Sequence, residues 1–206
     1  MSRRVDLIAL PLLPLQTVLF PGGWLRLKVF ETRYLDLVSR CLRDDSAFAV
    51  VCLRQGSELH QPAAEAVQFE TIGVLVRLLE VDAEQAGILK LSCLGGVRVR
   101  ISAPRQHADG LWLAGASRLR GDDLLPPAPE LAPAVSALAK AIESMKSRGQ
   151  QPFRPPHRLN DAGWVANRWC EILPISLAAK QRLMELDEPA LRLKLVDDFL
   201  RAKGLV

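Results

Sequence analysis

The sequence predicts an α+β protein in which strands come first and helices follow. Three observations carry this prediction. Residues 1–120 alternate mainly with period two, and residues 121–206 repeat with helical period. Between them runs GDDLLPPAPELAP, acidic and proline-rich as a connector is. The expected division is a β-rich lobe over 1–120 and a helical lobe over 121–206, with the linker at about 121–133.

Residues 8–24, IALPLLPLQTVLFPGGW, carry no charge and follow Arg3-Arg4. An export signal needs an unbroken apolar helix and a small-residue cleavage site. Pro11 and Pro14 interrupt this run. A membrane span is excluded by Gln16, Thr17, Pro21 and the two glycines. The stretch is therefore expected in the core, as extended segments near 7–10 and 12–20 with prolines at their ends. A turn at Phe20-Pro21-Gly22-Gly23 closes it.

In WLRLKVF, Leu25, Leu27 and Val29 share one strand face and Arg26 and Lys28 the other. A helix over 31–43 follows, its buried stripe expected at Tyr34, Leu35, Val38, Cys41 and Leu42. Strands are expected at 47–53, at 69–81 with a bend at Gly73, and at 111–119. Two more, 88–94 and 97–102, flank Gly95-Gly96, a hairpin signal.

Beyond the connector, Leu131, Val135, Leu138, Ile142 and Met145 mark one helix, with Gly149 placed for a C-terminal cap. Asn160 or Asp161 can cap a helix through Val165 and Trp169, and Ser176 can cap 177–186. Asp187 can cap a last helix with Leu191, Leu195, Phe199 and Leu200 on its buried face. Trp112, Trp164 and Trp169 are expected in the core or at the interface between the lobes.

Composition excludes several functions. Cys41, Cys52, Cys93 and Cys170 are widely spaced without a C-x-x-C pair, which favours free thiols in a reducing compartment, the cytoplasm. His60, His107 and His157 stand alone in polar loops, so no metal site is expected. Nucleophile-elbow and phosphate-loop motifs are absent, and carboxylates come as adjacent pairs that do not face one another. No catalytic residue and no cofactor is predicted. The net charge of +4 is spread, with 15 Lys/Arg against 12 Asp/Glu over 1–120 and 12 against 11 beyond. That balance argues against nucleic acid. The local basic candidates are Arg98, Arg100, Arg118 and Arg120 on strands, and Lys146, Arg148, Arg154 and Arg158 in a loop.

The opening LPLLPLQTVLFPGG followed by VFETRY resembles the start of the N-terminal substrate-binding domain of Lon, the ATP-dependent protease, and of stand-alone bacterial proteins built from that domain. The resemblance continues through IGVLVR, LGGVRV, LPIS, KQRLME and Arg192-Leu193, covering about residues 8–200. It implies a PUA-like β pseudobarrel with one helix, then a helical bundle. It also implies binding of unfolded or extended polypeptides, with a separate ATPase or protease as partner. The 206 residues hold no phosphate loop, so Lon's catalytic activity is not carried over.

Trp24, Arg26, Lys28 and Phe30 fall on one side of a strand, and two large aromatics on a solvated side make them the candidate polypeptide-binding residues. Phe20, Pro21, Gly22, Glu31, Arg33 and Tyr34 match the family pattern and are expected to shape the fold, with Glu31 and Arg33 forming ion pairs near the helix start. The alternative is an RNA-binding PUA-like protein using the strand arginines.

Overall fold

Pro11 and Pro14 do not divide the opening stretch. In the computed structural model, which describes residues 6–58 and 67–206, it forms one strand, β1 (Asp6–Leu15). The strand changes partner midway. Its first half runs antiparallel to β7 (Trp112–Arg118), ending at the Leu12–Trp112 pair, and its second half runs parallel to β3 (Phe48–Gln55) from Leu12–Ala49 onward. A bulge between Leu7 and Leu10 places Ala9 at φ 56°. The expected break at Pro11 is thus a change of partner, which proline tolerates better than the middle of an uninterrupted ladder.

The remaining strands are β2 (Trp24–Val29), β4 (Gln68–Phe69), β5 (Ile72–Gln85) and β6 (Ile88–Gln106). Their order is β1-β7-β6-β5-β3-β4, and the β1–β3 pairing closes the first five into a barrel. Leu12, Ala49, Val51, Val99 and Ala114 belong to its buried core. β2 lies outside that ring and pairs with the first half of β6.

Gly95-Gly96 is not a hairpin. Both lie inside the 19-residue β6, and the β5–β6 turn falls beside Gly87, at φ 80°. The sequence signal was real but concerned close approach. A Cβ on Gly95 would stand 2.6 Å from the Phe20 carbonyl oxygen. The Gly95 N–H donates to the Gly23 oxygen and its carbonyl accepts from the Gly22 N–H, each at 2.9 Å. Gly73 is a second such site, where a Cβ would meet the Val50 oxygen at 2.4 Å.

Helix α1 (Thr32–Asp44) buries Tyr34, Leu37, Val38 and Cys41. Leu42, expected in that stripe, is 58% exposed, and Leu37 takes its place because 34, 37, 38 and 41 follow the 3.6-residue period more closely.

The chain divides into two compact units, Met1–Arg120 and Gly121–Val206. The second holds α2 (Ala132–Ser147), α3 (Ala162–Ile172), α4 (Leu177–Glu185) and α5 (Pro189–Ala202). The Asp161 carboxylate accepts from the Gly163 and Trp164 N–H groups, and the Ser176 hydroxyl from Ala179, so both caps form. Gly149 adopts φ 73° after α2. Asp187 does not cap α5, whose N-cap position is Glu188 with no side-chain bond.

The buried face of α5 is also turned from the expected one. Arg192, fully buried, donates from Nε to the Leu183 oxygen at 2.8 Å and from Nη1 to Asp122 at 2.6 Å and Asn167 at 2.9 Å. Its Nη2 donates to Asp122 at 3.2 Å and to the Leu186 carbonyl. Drawing this guanidinium inward turns Leu193, Val196 and Leu200 in with it, leaving Leu191 and Leu195 41% and 43% exposed.

The Gly95 contact gives a direct test. Gly95→Ala should lower unfolding free energy in urea by about 1–3 kcal/mol, the usual cost of overpacking against fixed backbone. Gly96→Ala, whose Cβ would meet the Leu75 oxygen at 3.3 Å, should cost less. Equal effects would show that the Phe20 approach does not matter.

Candidate functional site

β2 sits where a polypeptide could reach it. Its Cα register with β6 runs from Trp24–Leu94 to Val29–Leu89, and β5 flanks β6 on the far side. Among the described residues β6 is the one strand paired with β2, so the opposite edge carries no strand. An edge of this kind offers backbone N–H and C=O groups to an incoming chain.

The two faces of β2 differ. Leu25 and Leu27 are half-buried and Val29 buried, whereas Arg26 and Lys28 are exposed. The exposed face continues across the sheet in two rows, Arg26–Ser92–Glu80 and Lys28–Lys90–Asp82. The Trp24 indole N–H donates to the Ser92 hydroxyl at 2.8 Å, and the Arg26 guanidinium stacks on the Trp24 ring at 3.6 Å. Together these residues line a groove of about 560 Å³.

The candidate residues do not share one site. Trp24, Arg26 and Lys28 belong to the groove, whereas Phe30 joins Lys28 at a smaller pocket of about 100 Å³. Leu13, Leu15, Leu27 and Val29 line it with Tyr34, Glu31 and Glu58. Phe30 is 53% exposed. Burial pushes the Tyr34 phenol up to about 12, so it remains protonated at neutral pH.

The family-motif residues build the frame around this edge. Phe20 is fully buried, and Gly22 takes φ 72° in the turn that contacts Gly95. Pro21 lies in that turn. The Glu31 carbonyl accepts from the Tyr34 and Leu35 N–H groups at the start of α1. The Glu31 carboxylate lies 3.0 Å from Arg33 Nη2. Buried Arg33 also donates to the Gly110 oxygen at 2.8 Å and the Glu58 oxygen at 3.3 Å, with its guanidinium 4.4 Å from the Tyr34 ring centre.

The four strand arginines do not share one solvated face. Arg98 is buried and donates to the Arg120 oxygen at 3.0 Å, correcting the expectation that it shares a solvated face with Arg100. The register shift between Val74 and Val76 of β5 puts one extra residue on β6 between Gly95 and Arg98, and Val97 is turned out instead. Arg100, Arg118 and Arg120 are exposed, as are Lys146, Arg148, Arg154 and Arg158. His60 lies outside the described residues.

Sequence reasoning missed Ser92, Lys90, Glu80, Asp82 and Glu58. Only the register of β2, β6 and β5 brings the first four beside Trp24 and Arg26, and period-two patterning does not reveal register. Among the described residues no cluster of His, Cys, Asp or Glu could hold a metal ion, and no helix is long and apolar enough to cross a membrane. The four cysteines are free and buried.

What fold and surface define is a barrel-and-helix chain in which β2 pairs on one side only among the described residues. Comparison with known proteins gives that class its family. Residues 9–202 match the substrate-binding domain of the ATP-dependent protease La (LON), and the chain belongs to that family. It is 27% identical over 199 residues to Lon protease of Anaeromyxobacter dehalogenans, covering 94% of this chain and 23% of that protein. The figures for Lon protease of Xanthomonas oryzae are 25% over 200 residues, 93% and 22%. The chain thus spans less than a quarter of these relatives' length. What is matched is the substrate-binding domain and not a peptidase or ATPase domain.

The crystal structure of a Lon N-terminal domain protein from Xanthomonas campestris has TM-score 0.71 at 30% identity, covering 92% of this chain and 97% of that one. The N-terminal domain of Mycobacterium avium complex Lon protease shares the fold, with TM-score 0.61 at 15% identity over 92% and 96%. The α+β architecture, a β pseudobarrel with one helix followed by a helical lobe, is therefore that of Lon N-terminal domains.

The placement of the two phenylalanines is testable. Phe30→Ser should change unfolding free energy by less than about 0.5 kcal/mol, as at exposed sites. Phe20→Ala should cost about 3–5 kcal/mol through the cavity it leaves. Urea titrations of both variants check this, and a large loss in Phe30→Ser would place that ring in the core.

Proposed function

We propose that this chain binds extended, unfolded polypeptide segments, and that a bound segment runs along the open edge of β2. The observation carrying this reading is that β2 pairs with β6 alone among the described residues. An added strand gains main-chain hydrogen bonds there, and its side chains find a concavity at each end. Trp24 stands at the larger groove and Phe30 at the smaller pocket. Aromatic anchors beside open backbone are the usual source of affinity in such interfaces.

The likeness to Lon substrate-binding domains supports the same reading. Delivery of the bound segment to a separate ATPase or protease extends it, making the chain an adaptor in protein quality control. Four buried free thiols fit a reducing compartment, and the proposed setting is the cytoplasm. Nucleic acid is not the proposed ligand. Of the four strand arginines considered for it, Arg98 is interior.

Fluorescence anisotropy with a labelled, permanently unfolded polypeptide tests the proposal. Binding should survive added salt, and Trp24→Ala and Phe30→Ser should each weaken it about tenfold, equivalent to about 1.4 kcal/mol. Circular dichroism of both variants should match the parent. Polypeptide binding unchanged in both, or RNA binding that falls steeply with salt, would overturn the reading.

A further inference from the structure

The two faces of β2 also constrain what can bind there; the following rests on the edge-strand reading above. Successive residues of a strand point to opposite faces of the sheet, so a segment added to β2 sends alternate side chains to each. On one face it meets Leu25, Leu27 and Val29, continued on β6 by Cys93, Leu91 and Leu89. On the other it meets Trp24, Arg26 and Lys28.

Among the residues whose side chains are described, the carboxylates of that second face are Glu80 and Asp82, on β5 beyond β6. Two strand spacings, about 9–10 Å, separate them from β2. Glu31 and Glu58 stand at the Phe30 end, where Glu31 is paired with Arg33. The positions immediately beside an incoming strand at Trp24–Arg26 are therefore aromatic and cationic. Directly opposed side chains on neighbouring strands sit about 4.5–5.5 Å apart, where opposite charges attract and like charges repel.

We propose that β2 selects segments alternating apolar with acidic residues, the apolar ones facing the Leu25–Leu27–Val29 side and the acidic ones facing the Trp24–Arg26 side. The same geometry disfavours a second copy of this chain as the occupant. Antiparallel pairing of two β2 edges brings Arg26 and Lys28 of one against those of the other, a like-charge arrangement.

Three labelled dodecapeptides test this by anisotropy at low ionic strength. The first alternates Val or Phe with Asp. The second has the same composition with apolar and acidic residues in separate blocks, and the third replaces Asp by Lys. The alternating acidic peptide should bind about two- to fivefold more tightly than either other, from a favourable cross-strand pair at Arg26. Arg26→Glu should reverse the order of the Asp and Lys peptides. Equal binding of the block peptide, or an unchanged order in Arg26→Glu, would overturn the proposal.

The unfolded polypeptide separates the two levels of failure. If it binds and Trp24→Ala weakens that binding about tenfold, while the peptides do not discriminate, the selectivity alone is wrong. If its binding ignores substitutions on β2, the edge itself is not the site. A dimer of free protein that protects the β2 amides from hydrogen exchange would also count against the proposal, because β2 would then receive its own copy.

Discussion

The approach of the residue 20–23 turn to Gly95 is the contact on which the candidate site depends. Two backbone hydrogen bonds join Gly22 and Gly23 to Gly95, and no side chain fits between that turn and β6. β2 begins at the next residue, so its register against β6 is set at Trp24–Leu94 before any side chain on it packs. A strand slipped by one residue would turn Leu25, Leu27 and Val29 outward and Arg26 and Lys28 inward. The turn sequence Phe20-Pro21-Gly22-Gly23 thus determines which face of the edge is apolar. That explains how a motif of buried and backbone-shaping residues bears on binding without touching a ligand.

Buried arginines perform the comparable role elsewhere. An interior guanidinium is costly unless nearly all of its N–H groups find acceptors. Arg192 meets that condition with backbone oxygens at 183 and 186, the Asn167 amide and the Asp122 carboxylate, tying the connector to α3, α4 and α5. Arg33 joins Glu31, Gly110 and Glu58 at the start of α1 through its two terminal nitrogens, while its buried Nε has no acceptor among the described residues. Arg98 bonds to the backbone at 120. Each fixes main chain that no regular ladder holds.

This is also why the sequence was legible in some places and not in others. Period two in WLRLKV and helical period in α2 follow from which face meets the core, so both elements could be read directly, as could the caps of α3 at Asp161 and of α4 at Ser176. Gly95-Gly96 misled because glycine serves turns and close approaches alike, and only the partner chain decides between them. Arg98 and Arg192 misled because a charged residue is normally written on the solvent side, whereas these two are satisfied inside. Leu191 and Leu195 then read as core only because Arg192 did not. At the site, Trp24, Arg26 and Lys28 were visible from alternation. Their neighbours Ser92, Lys90, Glu80 and Asp82 depend on register across three strands.

In the proposed function an edge strand with one apolar and one cationic face recognises backbone first and side-chain pattern second. Its affinity would come from main-chain pairing available to any extended segment, with the faces adjusting it. Hydrogen–deuterium exchange over Trp24–Val29, with and without saturating unfolded polypeptide, tests this most directly. Amides directed away from β6 should exchange fast in the free protein and slow on binding, while those bonded to β6 change little. Unchanged exchange across β2, with protection arising elsewhere, would contradict the account.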